Sequence, residues 1–198
     1  MAERGSCLYP ERMDDVVYAI NNRDKIVFVN DGWDRFAAAN NGEKHVSQKI
    51  LNRPLWDFIT GAATRDIYRQ IIGAARLGRI CQFHFRCDAP QERRRLMMNI
   101  ASGAEGNVLF KVSVITTEDR TSQPLLNPRT GSTENFLTVC SWCKKMSVNG
   151  QWVEVEKAVA LLNLFEEDNL PQLTHGICES CLNKMDKVID KMSPKRPG

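Results

Sequence analysis

Two pairs of cysteines are the residues best suited to chemistry in this chain. Cys140 and Cys143 form one C-x-x-C pair, and Cys178 and Cys181 form a second. Two residues between cysteines let one turn of backbone point both sulfurs at a single ion, and two such pairs complete the tetrahedral shell that structural zinc prefers. The spacing therefore predicts a zinc site with four thiolate ligands. Four protein ligands leave no open position for substrate or water, so we expect no catalysis there.

The segment between the pairs, residues 144–177, is longer than the roughly 15–20 residues usual between such pairs. Asn149-Gly150 predicts a two-residue hairpin turn. Apolar residues at helical spacing then predict an amphipathic helix over 153–165 and another over 182–192, which the second cysteine pair opens. A cysteine pair, a hairpin, and a helix that donates two ligands follow the order of a treble-clef zinc module, here with one helix inserted. The N-terminus of such a helix also stabilises thiolates.

Three alternatives remain open at the cysteine pairs. Iron fits the same set of thiolates, because ligand type alone does not separate zinc from an iron–sulfur site. The pairs are also compatible with dithiols that oxidise as a redox switch. His175, three residues before Cys178, is an alternative ligand or a residue that contacts the ligands, although a histidine in a loop is more often unrelated to a metal.

Composition limits the class of protein. The 198 residues are 42% hydrophobic and 26% charged, with a formal net charge of +3, which fits one moderate or two small globular domains. No apolar run approaches the ~18 residues of a membrane span, and Met1–Gly5 opens no signal peptide. We therefore expect a cytoplasmic protein whose cysteines are ligands and buried thiols. No glycine-rich phosphate loop or nucleophile elbow is present, so we expect no enzyme.

A change in composition divides the chain. Residues 118–135 are rich in Pro, Ser, Thr, Asn and Gly, which is typical of a linker, with one packed turn expected at Leu125-Leu126. The predicted domains are therefore residues 1–117 and the cysteine-rich module 136–198.

The N-terminal domain is predicted to be α+β, an antiparallel sheet with helices on one face. Strands at Val16–Ile20 and Ile26–Asn30 form a hairpin, Asp31 caps a first helix, and a longer helix begins at Thr60 or Thr64 and stops at Gly78. Apolar residues then alternate with other residues along three strands. The alternating positions are Cys81, Phe83, Phe85 and Cys87; Leu96, Met98 and Ile100; and Val108, Phe110, Val112 and Val114.

The order of these elements resembles a PAS sensor domain over residues 12–117. The resemblance is carried by Ala19-Ile20 and the run 24–30, followed by Trp33 and Phe36, and by the segment 50–59. The first stretch resembles a PAS opening in motif, and the rest resembles the family mainly in the order of its elements. The tail, with His175-Gly176 before the third cysteine, resembles the cysteine-pair tail that follows sensor modules in some bacterial signalling proteins. In that pattern a proline commonly follows the third cysteine, whereas this chain has Glu179.

The PAS resemblance implies a module whose sheet and helices enclose a small ligand. Light-sensing flavin chemistry requires a cysteine that the comparable stretch 52–55 lacks, and residues 60–78 contain no histidine for haem, so neither cofactor is expected. His45 and His84 are more typical of surface positions. A small apolar metabolite or no ligand at all remains open. The candidate cavity residues are Phe28, Phe36, Trp56, Ile71, Phe83, Phe85 and Met98.

Three functions fit these features. The first is a non-catalytic signalling protein in which the PAS domain binds a ligand or forms a homodimer and the zinc module docks a partner protein. The second is a zinc-dependent transcriptional regulator whose last helix binds DNA through Lys184, Lys187 and Lys191. Asp186 and Asp190 weaken the positive electrostatic field of these lysines. The third is a thiol-based redox sensor that ejects its metal on oxidation.

Overall fold

The structure is a computed structural model that describes residues 15–40, 42–127, 134–164 and 170–192. Met1–Gly5, residues 128–133 of the predicted linker and the polar residues 166–169 before Pro171 lie outside this part of the chain. Within the described ranges, no helix is both long and apolar enough to cross a membrane.

Five antiparallel strands form the first sheet, in the order β2-β1-β5-β4-β3. The predicted alternation is confirmed where it matters most, because Cys81 and Phe83 are buried while Gln82 and His84 are exposed. Side chains buried on this face of the sheet pack against the helices, which confirms the predicted antiparallel sheet with helices on one face. The strands are β1 (Val16–Ile20), β2 (Ile26–Val29), β3 (Cys81–Arg86), β4 (Glu92–Ser102) and β5 (Val108–Asp119).

Three helices connect the second and third strands: α1 (Asp31–Ala39), α2 (Ser47–Ile50) and α3 (Ala62–Arg76). Asn30, not the predicted Asp31, caps α1. The amide oxygen of Asn30 accepts hydrogen bonds from the backbone N–H groups of Trp33, at 3.1 Å, and Val17, at 3.0 Å, while its NH₂ group donates to the carbonyl of Asp15. An ionised carboxylate could not replace it, because a carboxylate only accepts hydrogen bonds and has no N–H to donate to Asp15.

The long helix α3 begins after Gly61, whose φ of 86° favours glycine. The prediction that Thr60 or Thr64 starts this helix was therefore wrong, because the helix has no side-chain cap. Its predicted end is confirmed: α3 stops at Arg76, and Gly78 follows with a φ of 80°.

A second sheet of four strands, ordered β8-β7-β6-β9, supports the cysteine pairs. The predicted hairpin at Asn149-Gly150 is confirmed, with φ angles of 49° and 77°. The inner strand β6 and the edge strand β9, which run parallel to each other, were not predicted. The elements are β6 (Phe136–Cys140), β7 (Met146–Val148), β8 (Gln151–Val153), α4 (Val155–Leu162), β9 (Gln172–Gly176) and α5 (Glu179–Met192).

The two parts of the chain share one core. Side chains of the cysteine-rich part, among them Trp142, Met185 and Met192, belong to the same buried cluster as Ile71 and Phe83 of the first sheet. A second, smaller cluster lies within the C-terminal part and includes Leu125, which confirms the predicted packed turn. The domain boundaries at residues 117 and 135 remain a prediction. The N-terminal and C-terminal parts pack directly against each other.

A buried group of charges also joins the two parts. Arg120, with 5% of its side chain exposed, lies between Asp88 of the first part, at 2.8 Å, and Glu156 of the second, at 2.7 Å. Arg86 pairs with the same Asp88 and with Glu154, the latter at 2.8 Å. Since the carboxylate of Asp88 is fully buried, it depends on these two guanidinium groups for compensation.

Candidate functional site

The four predicted cysteines converge on one point. The sulfur atoms of Cys140, Cys143, Cys178 and Cys181 all lie within 4.8 Å of one another. Those of Cys143 and Cys178 are 3.7 Å apart, close to the roughly 3.8 Å edge of a tetrahedron with zinc–sulfur bonds of about 2.3 Å. The cluster is therefore suited to one tetrahedrally bound ion of the soft type that thiolates prefer.

The first pair is positioned by the end of β6 and a tight turn. The backbone N–H of Cys140 donates to the carbonyl of Lys145 at 2.8 Å, and that of Lys144 donates to the carbonyl of Cys140 at 3.1 Å. Lys144 has a φ of 59°, which folds the turn back on itself. The residue after Cys140 is also tied to the second pair, because the N–H of Ser141 donates to the carbonyl of Gly176 at 2.9 Å.

The second pair lies at the start of α5, as the sequence predicted. The backbone N–H groups of Cys181 and Leu182 both donate to the carbonyl of Cys178, each at 2.9 Å, and close the first turn of the helix. The N-terminus of this helix carries partial positive charge and favours the thiolate form of nearby sulfurs.

Hydrogen bonds make Cys140 the sulfur best able to carry negative charge. The thiols of Cys143 and Cys181 donate to it and lower its pKa well below the ordinary thiol value. The backbone N–H of Cys178 also points at this sulfur, at 3.4 Å. Cys140 is completely buried, so these donors, and not water, stabilise the anion.

His175 lies outside the cluster of four sulfurs. It sits on β9, its side chain is exposed, and the group of residues able to share an ion does not include it. The four cysteines therefore form the ligand set without it. The remaining described cysteines, Cys81 and Cys87, are free thiols on and beside β3.

A separate apolar cavity of about 340 Å³ lies between α1 and the inner face of the first sheet. Fourteen residues from β1, β3, β4, β5, α1 and neighbouring loops line it. They are Val16, Tyr18, Trp33, Phe36, Ala37, Asn40, Gly42, His45, Phe85, Cys87, Leu96, Met98, Val112 and Val114.

Only part of the predicted lining is found at this cavity. Phe36, Phe85 and Met98 line it. Trp56, Ile71 and Phe83 pack in the main core, where the ring of Phe83 lies against Trp142. Phe28 is 48% exposed on the edge strand β2, because its side chain points away from the core. Sequence reasoning missed Tyr18 and Trp33, whose rings pack edge to face with centroids 5.3 Å apart.

Two polar side chains around the cavity, those of Asn40 and Trp33, already have partners. The amide oxygen of Asn40 accepts from Arg94 at 2.6 Å, and the guanidinium of Arg94 lies 5.1 Å from the ring centre of Phe36. The indole N–H of Trp33 donates to the carbonyl of His45 at 2.6 Å. With these groups satisfied, the cavity presents mainly apolar surface.

Strand β3 borders both sites. Phe85 and Cys87, at its end, line the cavity. Between them, the backbone N–H of Arg86 donates to the carbonyl of Trp142, inside the first cysteine pair, at 2.7 Å. One hydrogen bond therefore joins the strand end that borders the cavity to the turn that carries the first cysteine pair.

Comparisons with known proteins add likenesses of fold. The PAS domain of the Cronobacter turicensis quorum-sensing receptor RpfR, in complex with C12:0, is 15% identical over 54% of this chain and 98% of that one, with a TM-score of 0.39. A fungal LOV domain photoreceptor is 12% identical over 58% of this chain and 84% of that one, with a TM-score of 0.36. No protein-family model and no curated protein matches the sequence. Likenesses of this size carry no argument about ligand, partner or activity.

Proposed function

We propose that this chain is a non-catalytic signalling protein of PAS type, in which a small apolar molecule binds the cavity and the zinc-bearing module docks a partner protein. The observation that carries the proposal is the position of β3, whose end lines the cavity at Phe85 and Cys87 and holds the metal-binding turn through Arg86. A sensor requires a physical path of this kind between the site that detects and the surface that responds.

The metal is proposed to be zinc, held by Cys140, Cys143, Cys178 and Cys181. The ion would supply folding free energy to the module and no reaction, because four thiolates fill its tetrahedral shell. Reduced thiols of this kind favour a reducing compartment, which supports a cytoplasmic location.

The cavity is proposed to select its ligand by size and by lack of charge. A volume of about 340 Å³ lies at the lower end of the range of small-molecule sites. Asn40 and Trp33, two of its hydrogen-bonding residues, are occupied within the protein. A ligand would therefore gain mainly from burial of its apolar surface. Haem and light-sensing flavin are not part of the proposal.

The proposal is tested by loading and then filling the cavity. An environment-sensitive uncharged dye, N-phenyl-1-naphthylamine, is expected to bind the wild-type protein and to lose affinity by about tenfold in Val114→Phe, where the new ring occupies the cavity. Val27→Phe, at an exposed position of β2, is the matched control. Hydrogen exchange is expected to change at residues 140–143 and in α5 when the dye binds.

Equal dye affinity in both variants would refute the cavity as the binding site. Dye binding without any change in exchange near the cysteines would refute the coupling through β3. Elemental analysis and an absorption spectrum of the purified protein test the metal separately: one zinc per chain with no visible absorption is expected, and an iron–sulfur spectrum would overturn the assignment.

A redox function is a second candidate because one ligand is accessible. Cys143 is partly exposed and lines an open groove, whereas the other three cysteines are buried. Hydrogen peroxide would take two electrons from two of the thiolates, which form a disulfide while the peroxide is reduced to water and the metal is released. Zinc release that accompanies the loss of two free thiols would support this function, and stable zinc under oxidant would exclude it.

A further inference from the structure

A second, larger groove runs between α5 and the outer side of β3. Its volume is about 790 Å³, and none of its lining residues is an aspartate or a glutamate. Three lysines of α5 and one arginine of β4 line it: Lys184, Lys187, Lys191 and Arg95. We call this site the lysine groove.

The positive charge of the lysine groove is uncompensated. All four cations are exposed, and none of them belongs to an ion pair with a carboxylate in the part of the chain that the structure describes. The acidic residues of α5, Glu179, Asp186 and Asp190, are not part of the lining. Arg86, a fifth basic residue of the groove, is already neutralised by Asp88 and Glu154.

Apolar side chains lie between these cations. Ile115 of β5 is 47% exposed on one side, and Met185 and Val188 of α5 line the other. Lys184, Lys187 and Lys191 follow one face of the helix at spacings of three and four residues. The groove therefore offers a strip of apolar surface beside a row of ammonium groups.

We propose that the lysine groove binds an acidic, amphipathic segment of a partner protein. This inference rests on the proposed docking function and names the surface and the chemistry of the partner. Carboxylates of the segment pair with the four cations, which steers and orients the complex. Its apolar residues cover Ile115 and Val188 and remove them from water.

The groove fits a peptide better than a nucleic acid. Single strands bind through several exposed aromatic side chains on which bases stack. Among the rings that line the groove, Trp142 and Phe83 are buried and pack against each other, Phe85 is half-buried, and only His84 is exposed. A sugar–phosphate backbone would also leave the apolar strip uncovered. The three lysines line the groove between α5 and the sheet, so a ligand that contacts them also lies against the apolar strip.

The metal site forms part of this surface. Cys143 and Cys181 line the same groove as the lysines, and the second cysteine pair fixes the first turn of α5. The ion would therefore hold the helix that carries three of the four cations. Removal of the metal is expected to remove peptide binding as well.

The test uses the full chain with its metal and a fluorescein-labelled peptide in which glutamate and leucine alternate. Fluorescence anisotropy is expected to detect binding that weakens at least about tenfold in the double variant Lys187→Glu, Lys191→Glu, since two attractions become repulsions. Lys157→Glu, on the exposed side of α4, is the matched control and is expected to bind like the wild type. Peptides with glutamine for glutamate, or serine for leucine, are expected to bind more weakly.

Zinc content and dye binding in the cavity, measured on the same variants, separate the two proposals. A peptide that fails to bind a zinc-loaded, dye-binding protein overturns the groove proposal alone. An equal loss of peptide affinity in the double variant Lys187→Glu, Lys191→Glu and in the control Lys157→Glu overturns it as well. Tighter binding of duplex or single-stranded DNA than of the peptide, with an affinity that falls steeply with salt, would overturn the acidic peptide in favour of nucleic acid.

Discussion

The cysteine centre and the apolar cavity are built in opposite ways. Four residues of one type, in two short pairs, define the centre, and their sulfurs lie within 4.8 Å of one another. Fourteen residues of many types, drawn from four strands, α1 and neighbouring loops, line the cavity. A site that depends on a few ligands loses its function when one is replaced, whereas a site made of many weak contacts tolerates most single changes.

The largest effect is expected when a ligand is removed. Cys181→Ser should abolish stoichiometric zinc binding and lower the free energy of unfolding by several kcal/mol, because a structural site supplies much of its module's stability, of order 10 kcal/mol in small zinc domains. Zinc analysis and urea denaturation measure both quantities. Cys87→Ser, a thiol that lines the cavity instead, is the control and should keep its zinc.

The same variant tests how far the two regions are one unit. Trp142 and Met185 share a core with Phe83 and Ile71, so loss of the metal should also make the first sheet more sensitive to proteolysis. A sheet that resists protease as well as the wild type does, beside an unfolded C-terminal part, would show that the regions fold independently.

An intermediate effect is expected at the charges that join the regions. Arg120→Met should lower the free energy of unfolding by about 3 kcal/mol, because it leaves the buried carboxylate of Asp88 with one guanidinium instead of two. Arg53→Met breaks the exposed pair with Asp57 and should cost less than about 1 kcal/mol. Similar losses in the free energy of unfolding for Arg120→Met and Arg53→Met, measured by urea denaturation, would contradict a structural role for the buried charges.

The smallest effect at neutral pH concerns a cysteine that is not a ligand. Burial raises the pKa of Cys81 to about 12 from an ordinary 9.0, opposite in direction to Cys140. Because the folded-state pKa is the higher one, the contribution of this thiol is complete below pH 9 and is lost as the pH rises toward 12. The free energy of unfolding of Cys81→Val, plotted against pH, should therefore run parallel to that of the wild type below pH 9. Above pH 9 it should fall less steeply than the wild-type value. Parallel curves up to pH 11 would refute this.

The two regions also differ in what the sequence revealed. The spacing of Cys140, Cys143, Cys178 and Cys181 was sufficient to identify the ligand cluster, because two closely spaced cysteine pairs are typical of metal sites. The hairpin at Asn149-Gly150 was equally predictable, because few residues tolerate its φ angles. Alternating residues likewise revealed the strands of the first sheet.

The cavity was less predictable for a physical reason. Whether an apolar residue fills a core or borders a void depends on the packing of distant elements, and periodicity indicates only the buried face. Phe83 and Phe85 share that face, yet one packs against Trp142 and the other lines the cavity. Strands β6 and β9 were missed because their parallel pairing joins segments more than thirty residues apart, and neither segment alternates clearly.

The hydrogen bond from Arg86 to the carbonyl of Trp142 has a consequence for the behaviour of the protein without metal. Strand β3 is the last in its sheet, and the metal-binding turn occupies one of the backbone donors along that border. If the turn of the first cysteine pair detaches from β3 in the metal-free protein, the edge of β3 would present unpaired backbone hydrogen-bonding groups beside an apolar cluster. Such an edge is a template for pairing with a strand of another molecule. Loss of the proposed zinc ion would then be expected to expose this edge to a second copy of the chain.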